Sequence, residues 1–100
     1  MHARVTTMSL DPTRLDEAVA RLEEEDLPRF SSLDGFRGFT LLIERASGQV
    51  VGTSYWSTKE QMEASEEGVS GLRQRTAEIG GASGEPEVQR FEVALDTFVR

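Results

Sequence analysis

The sequence predicts an α+β domain with the element order β-α-β-β-α-β, and three observations carry the prediction. Runs of strand length, rich in β-branched and aromatic residues, lie at 3–10, 36–45, 50–56 and 87–95. Stretches with apolar residues at helical spacing separate the first run from the second and the third from the fourth. Only Ala46-Ser47-Gly48-Gln49 stands between the second and third runs, short enough for a β-hairpin.

The first strand, Ala3 to Leu10, stops at Asp11-Pro12, where Asp caps a helix and Pro fits its first turn. Leu15, Ala18, Val19 and Leu22 then form one apolar stripe, with Arg14, Arg21, Glu24 and Glu25 opposite, predicting an amphipathic helix to about residue 26. Leu27-Pro28 is expected to end it. In the second strand Phe39, Leu41 and Ile43 share a face, and Phe36, Thr40 and Leu42 the other. After the third strand, Thr58 and Gln61 have capping-box spacing, and Met62, Ser65, Val69, Leu72, Thr76 and Ile79 make a weaker helical stripe. Gly68 and Gly71 inside this helix each cost about 1 kcal/mol relative to Ala and predict a kink or local mobility. The Gly-rich loop 80–86 follows a helix and has no Lys, which reads as a connector rather than a phosphate cradle. Phe91, Val93 and Leu95 alternate along the fourth strand, expected over Glu87 to Leu95. Residues 1–95 thus make a single domain and 96–100 a short tail.

This is the ferredoxin-like arrangement: a four-stranded antiparallel sheet whose right-handed crossovers place both helices on one face. Phe39, Leu41, Ile43, Phe91, Val93 and Leu95 are expected under the helices. The bare face is expected to carry Met8, Phe36, Leu42 and either Val51 with Tyr55 or Val50 with Trp56. That much exposed apolar surface predicts a two-fold dimer stacked sheet on sheet.

Composition narrows the chemistry. The 100 residues include 11 Lys plus Arg against 18 Asp plus Glu, for a net charge of −7, which argues against a nucleic-acid partner. No run approaches the ~18 apolar residues that cross a bilayer. Residues 1–10 lack the features of a signal peptide, so a cytoplasmic location is expected. With no Cys, a disulfide, a thiolate nucleophile and Cys-ligated zinc are excluded. There is one His and no Asn, and no metal site or cofactor is indicated. The acidic run Glu23-Glu24-Glu25-Asp26 reads as a solvated helix end, because its carboxylates point different ways around the helix.

Asp34-Gly35-Phe36-Arg37-Gly38-Phe39, the hairpin ending Tyr55-Trp56-Ser57 and the helix opening Lys59-Glu60-Gln61-Met62-Glu63 resemble the antibiotic-biosynthesis-monooxygenase family of dimeric α/β-barrel proteins. The likeness spans roughly residues 1–95. It implies a homodimer with small pockets between each sheet and its helices. It also implies cofactor-independent oxygenation of a flat aromatic or polyketide-like molecule. The family's haem-degrading members use an Asn, a Trp and a helix-borne His; this chain has no Asn, its Trp precedes the helix, and its only imidazole is His2. Acylphosphatases, which share the element order, depend on an Arg–Asn pair and are disfavoured by the same absence.

The candidate substrate-binding residues are Trp56, Phe39, Arg4 and Arg37. Trp56 reads either as an aromatic wall against a flat substrate or as a plug between the third strand and the second helix. Phe39 reads as a core residue that borders a cavity. Arg4, Arg37 and Arg90 would orient an anionic or enolate oxygen, or sit at the surface. His2 would act as a base or fray with the terminus. No catalytic base stands out, which leaves a second reading: a non-catalytic protein that binds a small ligand or a partner on the same scaffold.

Overall fold

The computed structural model describes residues 1–98. The first apolar run forms β1 (His2–Ser9). Asp11 then accepts a hydrogen bond from the Thr13 N–H and opens a helical segment spanning 12–30. That segment comprises a 3₁₀ turn (Pro12–Arg14), α1 (Leu15–Arg21), a π-helical turn (Leu22–Asp26) and α2 (Leu27–Phe30). The hairpin is β2 (Phe36–Glu44) and β3 (Gln49–Trp56), followed by α3 (Lys59–Ile79) and β4 (Glu87–Glu92). The strands pair antiparallel in the order β2-β3-β1-β4, with the helices on one face.

Two turns fix the layer geometry. Gly48 has φ +80°, and a β-carbon there would collide with the Leu10 carbonyl. Glycine therefore lets the hairpin lie against the end of β1, where Leu10 N–H donates to the Gly48 carbonyl at 2.8 Å. At the other end, Thr58 Oγ1 accepts from Gln61 N–H and sets the start of α3 beside Trp56.

The core lies between sheet and helices in two clusters. Met8, Leu10, Leu15, Ala18 and Val50 fill one end. Phe30, Trp56, Met62 and Val69 fill the other, with Phe36 and Phe39 packed against them.

Several expectations are corrected. The first helical segment does not end at Leu27-Pro28: Leu27 N–H donates to the Leu22 carbonyl across the wide turn, and Pro28 falls in the first turn of α2, where its missing N–H costs nothing. Gly68 and Gly71 do not interrupt α3, which is continuous from Lys59 to Ile79. The last strand stops at Glu92, three residues before Leu95, because β1 offers it no partner beyond His2 and Met1. Its phase is also opposite to the expected one. Register places Phe91 beside Ala3 on the open face, where it is 49% exposed, and Arg90 beside Arg4 under the helices. Leu95 lies beyond the strand and is exposed. Met8 belongs to the core, and the bulge between Phe36 and Gly38 turns Phe36 against Trp56. Within the acidic run, Glu23, Glu24 and Glu25 are exposed, but Asp26 is buried and faces Arg75 at 3.3 Å.

The face away from the helices carries Val51 and Tyr55, with exposed Leu42 and Phe91. The ring of Phe98 meets that of Tyr55 with centroids 5.0 Å apart, so the tail crosses this face. Val99 and Arg100, the end of the expected tail, lie outside the described residues.

Candidate functional site

Between the two core clusters the layers leave a cavity of about 70 Å³. Thr6, Phe39, Leu41, Gly52 and Ser54 line it from the sheet, Leu22, Leu27 and Phe30 from the first helical segment, and Val69, Leu72 and Thr76 from α3. Gly52 lets the Phe39 ring lie close over the sheet, since a β-carbon there would come within 3.3 Å of it. Met8, Val50, Arg4 and Arg73 complete the lining, and the two arginines are its only charged members.

Arg4 is the third residue of the inner strand β1 and is 1% exposed. Its Nη2 donates to the Met62 carbonyl at 2.6 Å and to Ser65 Oγ at 2.9 Å, tying β1 to the first turns of α3. Its Nε lies 3.9 Å from Glu66 Oε1, beyond hydrogen-bond reach, and its Nη1 has no partner. A buried donor left unmade costs about 1–3 kcal/mol, and more when the group is charged, so this placement is a liability to the fold.

Glu66 gathers three guanidinium groups. Arg73 Nη2 donates to both carboxylate oxygens at 2.8 and 3.0 Å, Arg90 Nη2 to Oε1 at 3.0 Å, and Arg4 approaches at 3.9 Å. Three positive groups against one negative leave a surplus of two positive charges (3 − 1 = 2). Partial burial pushes the Glu66 carboxyl up, but the Arg73 hydrogen bond and the charges of Arg73, Arg4 and Arg90 outweigh it and hold the group below its ordinary range. Glu66 is thus a firmly ionised counter-ion and a poor base. Burial pulls the Arg4 guanidinium down, Glu66 partly restores it, and Arg73 and Arg90 lower it further; guanidinium is basic enough to stay charged regardless. Arg73 Nε, like Arg4 Nη1, is buried without a hydrogen-bond partner.

The structure brings Arg4 and Phe39 to the cavity. Trp56 is 0% exposed and stacks near Arg4, whose guanidinium carbon lies 5.7 Å from the ring centroid. Its indole N–H is spent on Ser54 Oγ at 2.9 Å, and Phe30 and Phe36 pack on its ring. It therefore walls off the site behind Arg4 without lining the cavity. Arg37 is separated from the other three: it is exposed and borders a shallow depression of about 330 Å³ with Gly38, Tyr55 and Phe98. Arg90 reaches the site only through Glu66.

Sequence patterns did not single out Glu66 or Arg73 as a pair. Their seven-residue spacing places them two turns apart on one face of α3, next to the buried stripe of Ser65 and Val69, and that spacing was the available signal. Among the described residues no three His, Asp or Glu side chains converge as metal ligands. The cavity lining contains no imidazole and no carboxylate.

A buried cationic edge behind an aromatic-walled cavity is thus built on a ferredoxin-like sheet with its helices on one face, and that fold is shared with known oxygenases. The chain has the fold of the antibiotic biosynthesis monooxygenases. It superposes on the ActVA-Orf6 monooxygenase of Streptomyces coelicolor, solved with nanaomycin D, with a TM-score of 0.78 at 16% identity, covering 99% of this chain and 92% of that one. SnoaB, a cofactor-independent oxygenase from Streptomyces nogalater, matches with a TM-score of 0.69 at 17% identity over 95% of this chain and 94% of its own. A dimeric ferredoxin-like protein from an uncultured marine organism matches with a TM-score of 0.69 at 16% identity over 99% of this chain and 91% of its own. At such identities the likeness establishes the fold.

In sequence, the chain is 37% identical over 94 residues to the uncharacterized protein Rv2557 of Mycobacterium tuberculosis, a match covering 94% of this chain and 41% of that one. The chain thus spans about two fifths of the length of the curated relatives it matches. No protein-family model matches the sequence. None of the helices among the described residues is long and apolar enough to cross a membrane.

Proposed function

We propose that this chain is a cofactor-independent monooxygenase acting on a flat aromatic compound in the cavity between sheet and helices. One observation carries the reading: Arg4, a buried guanidinium with unpartnered donors, lines a cavity walled by Phe30 and Phe39. The architecture shared with two oxygenases supports it.

An oxygenase without cofactor draws electrons from its substrate, and a hydroxyarene supplies them once deprotonated. No base lines the cavity. Arg4 and Arg73 instead lower the free energy of the bound phenolate, so the hydroxyl proton leaves to water and the oxyanion stays behind. The phenolate passes an electron to dioxygen and the radical pair joins, forming a carbon–oxygen bond. The hydroperoxide then loses water, so hydroxyarene and dioxygen become quinone and one water. Phe39 and Phe30 hold the ring flat, and Trp56 excludes solvent behind the guanidinium.

Size limits the substrate. The cavity is roughly half the ~150 Å³ that admits benzene in an engineered protein core. A polycyclic substrate therefore requires the half-buried Leu22 and Leu27 to move outward. The test is oxygen uptake with 1-naphthol and with hydroxynaphthacenes, in parallel with quenching of the single Trp. Oxygen consumption lost in Arg4→Gln supports the reading. Saturable quenching with no oxygen consumed overturns catalysis and leaves a ligand-binding protein, the reading favoured by the missing base.

The working unit is a homodimer joined through the open face of Val51, Tyr55, Leu42 and Phe91, with a second copy of this chain as the occupant. The dimeric ferredoxin-like neighbour supports this choice. A solution mass that stays at 11.1 kDa at all concentrations refutes it.

A further inference from the structure

The two cations that line the cavity do more than oppose a single oxyanion. Arg4 Nη1 and Arg73 Nε belong to guanidinium groups that both turn toward Glu66 Oε1, at 3.9 and 2.8 Å, so they are close neighbours. Both side chains line the same cavity, and neither of these nitrogens has a hydrogen-bond partner. Glu66 satisfies one positive charge of the three around it. The remainder of the lining is overwhelmingly apolar: Leu22, Leu27, Phe30, Phe39, Leu41 and Leu72 among others.

We infer that the cavity is a binding site for a small organic monocarboxylate, whose oxygens meet Arg4 Nη1 and Arg73 Nε while its hydrocarbon part lies on Phe39 and Leu41. The chemistry selects this class. A surplus of positive charge with free donors asks for an anion, and two separate donors suit the two oxygens of a carboxylate. An apolar lining gives nothing to phosphate or sulfate, which carry no hydrocarbon to bury. The volume of about 70 Å³ suits a chain of a few carbons. Leu22, Leu27, Leu72 and Thr76 at the far end are only half-buried, which lets a longer tail emerge between the first helical segment and α3.

The inference rests on the reading of this cavity as the ligand site and names the charge of what it takes. It does not require turnover. Binding of a carboxylate with no oxygen uptake from any hydroxyarene would leave it standing and sink the oxygenase reading alone. Oxygenation of neutral naphthols unaffected by carboxylates would do the reverse.

The experiment titrates the protein with butyrate, 1-butanol and inorganic phosphate, following Trp56 fluorescence and the melting temperature. Trp56 is the only Trp and stacks by Arg4, so it reports on that guanidinium. Butyrate should bind saturably, at least about tenfold more tightly than butanol, and raise the melting temperature, while phosphate has no effect. Arg4→Met and Arg73→Leu should each weaken butyrate at least about tenfold and leave butanol unchanged. Equal binding of butyrate and butanol would mean that only the apolar lining acts. An equal response to phosphate would mean a nonspecific anion site. No saturable response to butyrate would mean that trapped water satisfies both nitrogens. Each of these overturns the inference. If Arg4→Met fails to fold, Arg73→Leu and the butyrate–butanol comparison decide the matter.

Discussion

Two parts of the sheet–helix layer sit side by side and obey different rules. At the aromatic end Trp56, Phe30, Phe36 and Met62 fill their space, and the one polar group on Trp56, its indole N–H, is matched to Ser54. One step along β1 from that end, Arg4 is equally buried, yet its Nη1 and Nε go without hydrogen bonds beside an unfilled cavity. The first region is what a fold does with a large side chain when stability alone decides. The second departs from that rule at a cost the fold must absorb, and such departures concentrate at functional sites. The contrast separates two residues that both look functional in the sequence: Trp56 is packed and satisfied, and Arg4 is the one proposed to meet the ligand.

The largest expected effect breaks the wall. Trp56→Ala removes a fully buried side chain and should cost about 3–5 kcal/mol in urea denaturation, a large share of the ~5–15 kcal/mol that holds a domain together. A loss under about 1 kcal/mol would show that the aromatic end is not the packed region described. Filling the cavity tests the other side of the contrast. Gly52→Val pushes against Phe39 and should cost about 1–3 kcal/mol while abolishing ligand-dependent quenching, with the Trp56 emission of the free protein unchanged.

A smaller effect concerns the ion cluster. The Glu66 carboxyl is held below its unfolded-state range, so the stabilisation it gives is complete above about pH 4.3. That stabilisation is lost as the pH falls through the still lower folded-state value. Unfolding free energies measured from pH 7 to 3 should therefore converge for the wild type and Glu66→Gln at the acid end. Parallel curves would mean that the arginines do not act on Glu66. The smallest stability change belongs to the open face. Leu42→Glu alters a residue 64% exposed in the protomer and should shift protomer stability by no more than about 0.5 kcal/mol. In a concentration series by sedimentation it should nevertheless convert dimer to monomer.

Much of the fold was legible because local signals agreed with each other. The Asp11 and Thr58 caps, the four-residue hairpin and the alternation of Phe39, Leu41 and Ile43 all point to one sheet with helices on one face. The phase of β4 was not legible, for a physical reason. It is an edge strand with no hairpin to pin its register, so Phe91, Val93 and Leu95 looked like a core face by apolarity alone. The observed phase puts Arg90 on the helix side, where it meets Glu66, a residue on another element. The cavity was hidden for a related reason. Its lining comes from residues far apart in the sequence, among them Gly52 beside Phe39, and no local pattern reports how they meet. Arg4 was legible as a candidate because guanidinium offers several donors while staying charged, the ground it shared with Arg37 and Arg90. Its partners, spread over the turns of α3, were not.

The wide turn at Leu22–Asp26 has a consequence for how this chain tolerates change in length. In a regular α-helix, residues five apart point about 140° away from each other, because each step turns about 100°. Leu22 and Leu27 nevertheless line the same cavity, since the turn between them holds one residue more than an α-helical turn. Deleting a single exposed residue from 23–25 would restore ideal helical geometry and by that measure improve the segment. Leu27 would then follow Leu22 by four residues, about 40° away at about 100° per step, so it would still face the cavity and Phe30 would stay beside Trp56. The wide turn thus absorbs one residue without changing which side chains face the core, so a deletion there is tolerated where one elsewhere in the segment would rotate Phe30 off Trp56.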